Sequence, residues 1–280
     1  MRSVFRILGG LVAAYVLLLG SAFAFQDRLV YFPDRTPASV PEGLPAEVVT
    51  LNTKDNETIV AWFLEAAPNC PTLLKFHGNA GHIGKESWVF HRLHAAGVGM
   101  LAVSWRGYAG STGKPSQAGL FADSDAAYAY LRARDVSPDQ IVISGFSLGT
   151  GPATRLAALQ DAAALLLEAP YFSALKLAED KAPFLPVSLV FRHPYRSDKF
   201  IPTVDEPILI VHGGSDTIIP AEHSEALVAL AQSPATRIVL PRSSHNSLVS
   251  DGMYESAVWP FLSSLFPDCA FGANHEDISL

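Results

Sequence analysis

Short apolar runs alternate with helix-length stretches from residue 47 to residue 265, and this rhythm leaves few folds open. Glu47–Leu51 and Thr58–Leu64 read as paired strands across the turn-rich Lys54-Asp55-Asn56. Beyond them, Thr72–Phe76, Val98–Ser104, Ile141–Gly145, Ala163–Glu168, Ile208–Val211 and Arg237–Leu240 have strand character. Ile83–Ala96, Gln117–Arg134, Leu148–Leu159, Ala221–Gln232 and Tyr254–Leu265 have helical character. Strands that alternate with helices of this length imply βαβ units, and so a mostly parallel central sheet flanked by helices on both faces. Hydrophobic residues make up 49% of the 280-residue chain, enough for the core that such a sheet requires. We divide the chain into an N-terminal segment, 1–28, one domain, 29–270, and a polar C-terminal tail, 271–280.

Residues 7–25 carry no charge. As a helix they would be about 28 Å long, close to a hydrocarbon core of ~30 Å. Arg2 and Arg6 precede the run. This segment reads as a transmembrane anchor whose N-terminus stays cytoplasmic, with the domain on the far, periplasmic or extracytoplasmic, side. A cleavable signal peptide is the rival, since Ala22-Phe23-Ala24 resembles a cleavage site, although the run exceeds a usual signal core. A buried helix of the domain is the least favoured reading, because a helix apolar on every side has no face for water. Pro33, Pro37, Pro41 and Pro45 then mark an extended linker or wrapping arm.

Residues 171–206 interrupt the alternation with Pro183, Pro186, Pro194 and Pro202 among Phe184, Leu185, Phe191 and Tyr195. They read either as a lid-like insertion over the strand ends or as a peripheral helix with loops. The net charge is −7 and the 20 Lys and Arg are scattered, so the basic stripe that a nucleic-acid partner needs is missing. Cys70 and Cys269 form no CxxC pair and no metal-ligand spacing is visible, so no metal or other cofactor is expected. The two cysteines are read as unpaired small hydrophobes, with one disulfide as the alternative in an oxidising compartment.

Gly145-Phe146-Ser147-Leu148-Gly149 matches G-x-S-x-G between an apolar strand and an Ala-rich helix. In that context a strained turn exposes a serine hydroxyl at the top of a sheet, backed by a helix N-terminus suited to developing negative charge. A serine hydroxyl needs a base, and in the chain order Ser, acid, His the candidates weighed are His212, His223, His245 and His275. His245, in the polar turn after Arg237–Leu240, is the candidate. His223 is read as solvated on a helix, His275 as solvated in the tail, and His212 as a core residue at a strand end. Asp216 follows Ile208–Val211 through His212-Gly213-Gly214-Ser215, so it can orient the imidazole. Asp205 precedes that strand, at the opposite edge of the sheet, and is disfavoured. The oxyanion donors are expected to be the backbone N–H groups of Leu148 and Asn79, the latter in His77-Gly78-Asn79-Ala80-Gly81, where His77 would steady the loop.

Together these pieces resemble the α/β-hydrolase superfamily, and within it the Bem46-like group, which includes the alpha/beta hydrolase domain-containing 13 and 17 types. The resemblance also uses Tyr31-Phe32-Pro33, Arg106-Gly107-Tyr108-Ala109-Gly110-Ser111-Thr112-Gly113, Glu168-Ala169-Pro170-Tyr171 and Ser244-His245-Asn246, and it spans about residues 29–265. It implies the α/β-hydrolase fold, the Ser147, Asp216 and His245 triad, and an N-terminal anchor. Related sequences often carry a serine aminopeptidase-like (S33) label. Ser104-Trp105 stands where the group often has an acidic residue and Tyr, and Ala109 where Gly is common, which bears on local pocket shape. The mammalian depalmitoylating relatives have an N-terminal cysteine cluster that this chain lacks, so that substrate does not transfer.

The expected activity is hydrolysis of carboxylic acyl esters through an acyl-enzyme, on a small-molecule or lipid-like substrate. A peptidase acting on N-terminal residues is the alternative. It would need an acidic pair for the substrate amine, and Glu168, Glu179 and Asp180 are the nearby candidates. A membrane-bound binding protein with a degenerate site is a third reading, and the complete triad speaks against it.

Overall fold

The computed structural model describes residues 1–269 and 271. Apart from Phe271, the tail 271–280 with His275 lies outside the described residues.

The chain begins with helix α1, Arg2–Val30. Strands β1 (Glu47–Asn52) and β2 (Thr58–Leu64) form a hairpin, turned at Asn56 with a φ of 65°. β3 (Thr72–Phe76), α2 (Ser87–Ala95), β4 (Gly99–Val103), α3 (Gln117–Ala133), β5 (Ile141–Phe146), α4 (Thr150–Ala157) and β6 (Ala164–Glu168) follow in strict alternation. Three short helices, α5 (Ala174–Lys181), α6 (Val187–Val190) and α7 (Ser197–Phe200), precede β7 (Ile208–Gly213). The domain closes with α8 (Glu222–Val228), β8 (Ala235–Leu240) and α9 (Trp259–Leu265).

All eight strands lie in one sheet, ordered β1-β2-β4-β3-β5-β6-β7-β8, with only the β1–β2 and β2–β4 pairs antiparallel. Residues of β3, β4 and β6 are buried throughout, because helices cover both faces, and this is why these strands read as predominantly apolar runs rather than alternating ones. Edge strands β1 and β8 are largely exposed or half-buried instead. One core layer packs Leu74, Phe76, Ile143 and Leu167 beneath α3 and α4, and the other packs Leu73, Met100, Val142 and Leu166 beneath α2 and α9. Lys75 interrupts the apolar pattern of β3. It is buried, and its ammonium lies 3.1 Å from the buried carboxylate of Glu168 on β6, which offsets the cost of desolvating either charge.

Three sequence expectations are corrected. Cys70 and Cys269 are not unpaired: they form a disulfide with Cα atoms 4.8 Å apart. The chain beyond α9 returns to the start of β3, a closeness between residues 199 apart that no local pattern could reveal. Secondly, Tyr254–Leu265 is not one α-helix. Pro260 has no N–H for the preceding turn, and Tyr254–Val258 adopts π geometry before α9 starts. Thirdly, His223 is buried rather than solvated, and its Nδ1 accepts the N–H of Phe172. Burial lowers the pKa of this imidazole.

Helix α1 is long and apolar enough to cross a membrane, and none of its most apolar window is buried in the protein. Its C-terminal half docks, from Tyr15, whose hydroxyl donates to the Phe184 carbonyl, to Gln26, which bonds the backbone at Val190 and Arg192. The arm after it has no regular structure until residue 47, apart from a turn at residues 42 and 43. Asp34 pins it to Lys85 at 2.7 Å, and Arg35 donates to the carbonyl of Gly107.

Candidate active site

Strand β5 ends at Phe146, and Ser147 follows with a φ of +50°, a left-handed conformation that costs a non-glycine residue of order 1–3 kcal/mol. The flanking glycines allow the turn. A Cβ on Gly145 would lie 2.5 Å from the Gly149 carbonyl oxygen, and one on Gly149 would lie 2.3 Å from the Phe76 carbonyl oxygen. The turn is therefore wedged between its own helix and the end of β3, and Thr150 Oγ1 donates to the Ser147 carbonyl at 2.6 Å.

At the same rim of the sheet, the loops after β7 and β8 deliver Asp216 and His245. Ser147 Oγ is 2.8 Å from His245 Nε2, and His245 Nδ1 is 2.6 Å from Asp216 Oδ2. With the proton on Nδ1 donated to the carboxylate, Nε2 presents a lone pair to the serine O–H. The second carboxylate oxygen of Asp216 accepts the backbone N–H groups of Ile218 and Ile219 at 2.8 and 2.9 Å. Burial pushes the Asp216 carboxyl upward in pKa, but hydrogen bonds from His212, His245 and the Ile219 N–H outweigh it, and the group is held well below the usual carboxylate range. The triad members are buried, which keeps water from competing for these contacts.

His212 is the residue whose role the sequence left unread. It is a core residue as expected, yet its Nε2 donates to the Ile219 carbonyl at 2.8 Å and lies 3.4 Å from Asp216 Oδ2. The four-residue spacing of the two was the available signal. Asp205 is exposed and lies before β7.

Asn79 ties together the elements around Ser147. Its Oδ1 accepts from the Phe32 N–H at 2.9 Å, the Tyr108 hydroxyl at 2.8 Å and the Ala80 N–H at 3.0 Å, while Nδ2 donates to the carbonyl of Val30 at the end of α1. Trp105 donates its indole N–H to the His77 carbonyl at 2.9 Å, and the His77 ring contacts Tyr108 edge-on. Arg106 is held by Asp55 and Asp123, and this anchors the neighbouring Gly-rich loop.

Two cavities flank the triad. The first, about 490 Å³, holds Ser147, Leu148 and Asn79 at one end and is otherwise walled mainly by apolar side chains, most of them from α1, α5 and residues 182–191, with Gln26 and Lys181 as polar members. Thus part of the 171–206 insertion is a pocket wall. No Asp or Glu is among the described residues lining this cavity. The second, about 460 Å³, lies on the His245 side and is more polar, with Lys75, His82, Lys85 and Asn246 in its lining. Glu168 also lines it, already engaged by Lys75, while Asp180 pairs with Lys176 on the face of α5.

The family model described as "Serine aminopeptidase, S33" matches residues 67–192. The uncharacterized protein Rv2307c of Mycobacterium tuberculosis is 36% identical over 245 residues, covering 84% of this chain and 87% of its own. Human alpha/beta hydrolase domain-containing protein 17B is 31% identical over 220 residues, 78% of this chain and 75% of its own. Among solved structures, the esterase Pf2001 of Pyrococcus furiosus superposes with a TM-score of 0.66 at 20% identity, covering 83% of this chain and 98% of its own, which speaks to the fold. Identity above 30% along three quarters or more of two relatives, on a sheet of this topology, means that the chain belongs to the α/β-hydrolase family and to its alpha/beta hydrolase domain-containing type.

Proposed function

We propose that this hydrolase is a membrane-tethered serine esterase that cleaves carboxylic acyl esters through an acyl-enzyme. The observation that carries the reading is the hydrogen-bonded line from Asp216 through His245 to Ser147, ending in an apolar cavity. Ser147 Oγ attacks the carbonyl carbon as His245 Nε2 takes its proton, and Asp216 stabilises the imidazolium. The backbone N–H groups of Leu148 and Asn79 hold the oxyanion. His245 then protonates the departing alcohol, and water, activated by the same nitrogen, releases the acid.

The two cavities divide the substrate. The acyl group belongs on the side of Ser147 and Leu148, which line the first cavity, and the alcohol on the side of its proton donor, His245, which lines the second, with Asn79 at the border of both. The absence of Asp and Glu from the described lining of the first cavity favours esters over peptides with a free amine. The Cys70–Cys269 bridge supports a domain on the extracytoplasmic side, since disulfides persist in oxidising compartments, and Arg2 and Arg6 support a cytoplasmic N-terminus.

The test is labelling of the full-length protein by a small fluorophosphonate together with turnover of p-nitrophenyl butyrate, alongside a panel of aminoacyl anilides. Ser147→Ala should lose both labelling and ester turnover. Labelling that persists in that variant, or anilide turnover exceeding ester turnover, contradicts the reading.

A further inference from the structure

We propose that the acyl group is a long hydrocarbon chain taken directly from the bilayer, and that helix α1 is one wall of the chamber receiving it as well as the tether. This rests on the esterase reading above. Leu19, Ala22 and Leu29 of α1 face Leu177, Val190 and Phe191 across the chamber that ends at Ser147. At about 490 Å³ it has the size of a specific small-molecule site rather than a packing defect. The polar side chains of its lining are already engaged. Gln26 Nε2 donates to the carbonyls of Phe23 and Val190, its Oε1 accepts the Arg192 N–H, and Lys181 Nζ donates to the Thr217 carbonyl. A polar acyl group would lose its hydration there and find few partners, whereas a methylene chain loses nothing.

The docking of α1 is specific, which a mere tether would not need. Gln26, on a largely exposed apolar helix, is buried against the backbone at Val190, the end of α6, and at Arg192 just beyond it. Asp27 pairs with Arg192 and His193 at 2.9 and 2.7 Å. Eleven residues earlier, Tyr15 donates to the carbonyl of Phe184, so the insertion follows the helix for about 16 Å at 1.5 Å per residue. Phe184 is 68% exposed and Leu189 82%, and both belong to that same insertion. Water is a poor solvent for such a pair, and hydrocarbon is a good one.

Depth follows from the same rise. If Gln26 marks the polar boundary, Ala22 and Leu19 lie about 6 and 10 Å inside it, within one leaflet of a core ~30 Å thick. The chamber is thereby set among the acyl chains of that leaflet. A lipid ester can slide its chain between α1 and the insertion without crossing water, leaving its alcohol portion toward the polar cavity beside His245.

The experiment uses the full-length protein in phospholipid vesicles with p-nitrophenyl esters from butyrate to hexadecanoate. The expected profile rises by roughly threefold to fourfold in kcat/KM per added methylene until the chamber is full. Ala22→Trp, on α1, and Ala178→Trp, on the insertion, should each end that rise at a shorter chain and lower the hexadecanoate-to-butyrate ratio by about tenfold or more. Hexadecanoate in the enzyme's own vesicles should also be cleaved faster than hexadecanoate carried in separate vesicles. A flat profile with both esters turned over, or a profile that Ala22→Trp leaves intact while Ala178→Trp shortens it, would overturn the role of α1 and leave the esterase reading standing. No turnover of any ester and no fluorophosphonate label on Ser147 would bring down both.

Discussion

The Cys70–Cys269 bridge closes a loop of 199 residues, almost the whole hydrolase domain, and its removal should be felt globally. Cross-linking over that span removes unfolded-state entropy worth about 5 kcal/mol by the loop-closure relation. For a domain of this size each kcal/mol moves the melting temperature by about 2–4 °C, so the bridge accounts for about 10–20 °C. The perturbation is Cys70→Ala, Cys269→Ala and the double variant, each scanned by calorimetry in detergent micelles with and without a reductant. Wild type should fall most of the way to the double variant when reduced, and the double variant should ignore reductant. Each single variant should sit near the double one, because either substitution opens the same loop. Both sulfurs are buried, so the alanines also remove some packing, which adds to the loss rather than masking it. Reduced wild type melting within about 2 °C of the oxidised protein, with both thiols shown to be free, would refute the reasoning.

Asp216→Asn should lower kcat by about 10³–10⁴-fold while leaving the fold intact, read by steady-state kinetics with circular dichroism as the control. Because the Asp216 carboxyl is held below its ordinary pKa, its ionised form stabilises the native state above about pH 4, and that contribution is lost as the pH falls through the native value. Melting temperatures measured downward from about pH 5 should therefore fall less steeply in Asp216→Asn than in wild type. Asn79→Ala breaks the bonds to Val30, Phe32 and Tyr108, and should cost about 1–2 kcal/mol in denaturant unfolding and slow turnover by about tenfold. Lys75→Met removes the buried ammonium beside Glu168 and should cost about 3–5 kcal/mol, whereas the double variant Lys75→Met/Glu168→Leu should recover most of it in the same unfolding assay.

The order of strands and helices was readable because each strand buried on both faces is a continuous apolar run, and each covering helix has its own period. The positions of Ser147, Asp216 and His245 were readable for a related reason: a parallel sheet sends the loops that follow its strands to one rim. What the sequence did not reveal are contacts between segments far apart in the chain. The pairing of Cys70 with Cys269 depends on where the chain goes after α9, and the burial of His223 depends on the backbone at Phe172. His212 could be placed in the core by its strand, but its approach to Asp216 depends on how the intervening Gly213-Gly214 turn folds back. The wall that α1 supplies was hidden most deeply. An apolar run of this length is explained by a membrane alone, and only the polar Gln26 and Asp27 at its end hinted at a second use.

Asn79 holds the last carbonyl of α1 and the Phe32 amide at the start of the arm with one side chain, and its own backbone belongs to the loop beside Ser147. The slant of the helix and the setting of that loop are therefore coupled coordinates. In a lipid environment helix slant responds to the thickness of the hydrocarbon layer. On the membrane-tethered reading proposed above, the composition of the surrounding bilayer becomes a mechanical input to the neighbourhood of Ser147, delivered through a single carboxamide.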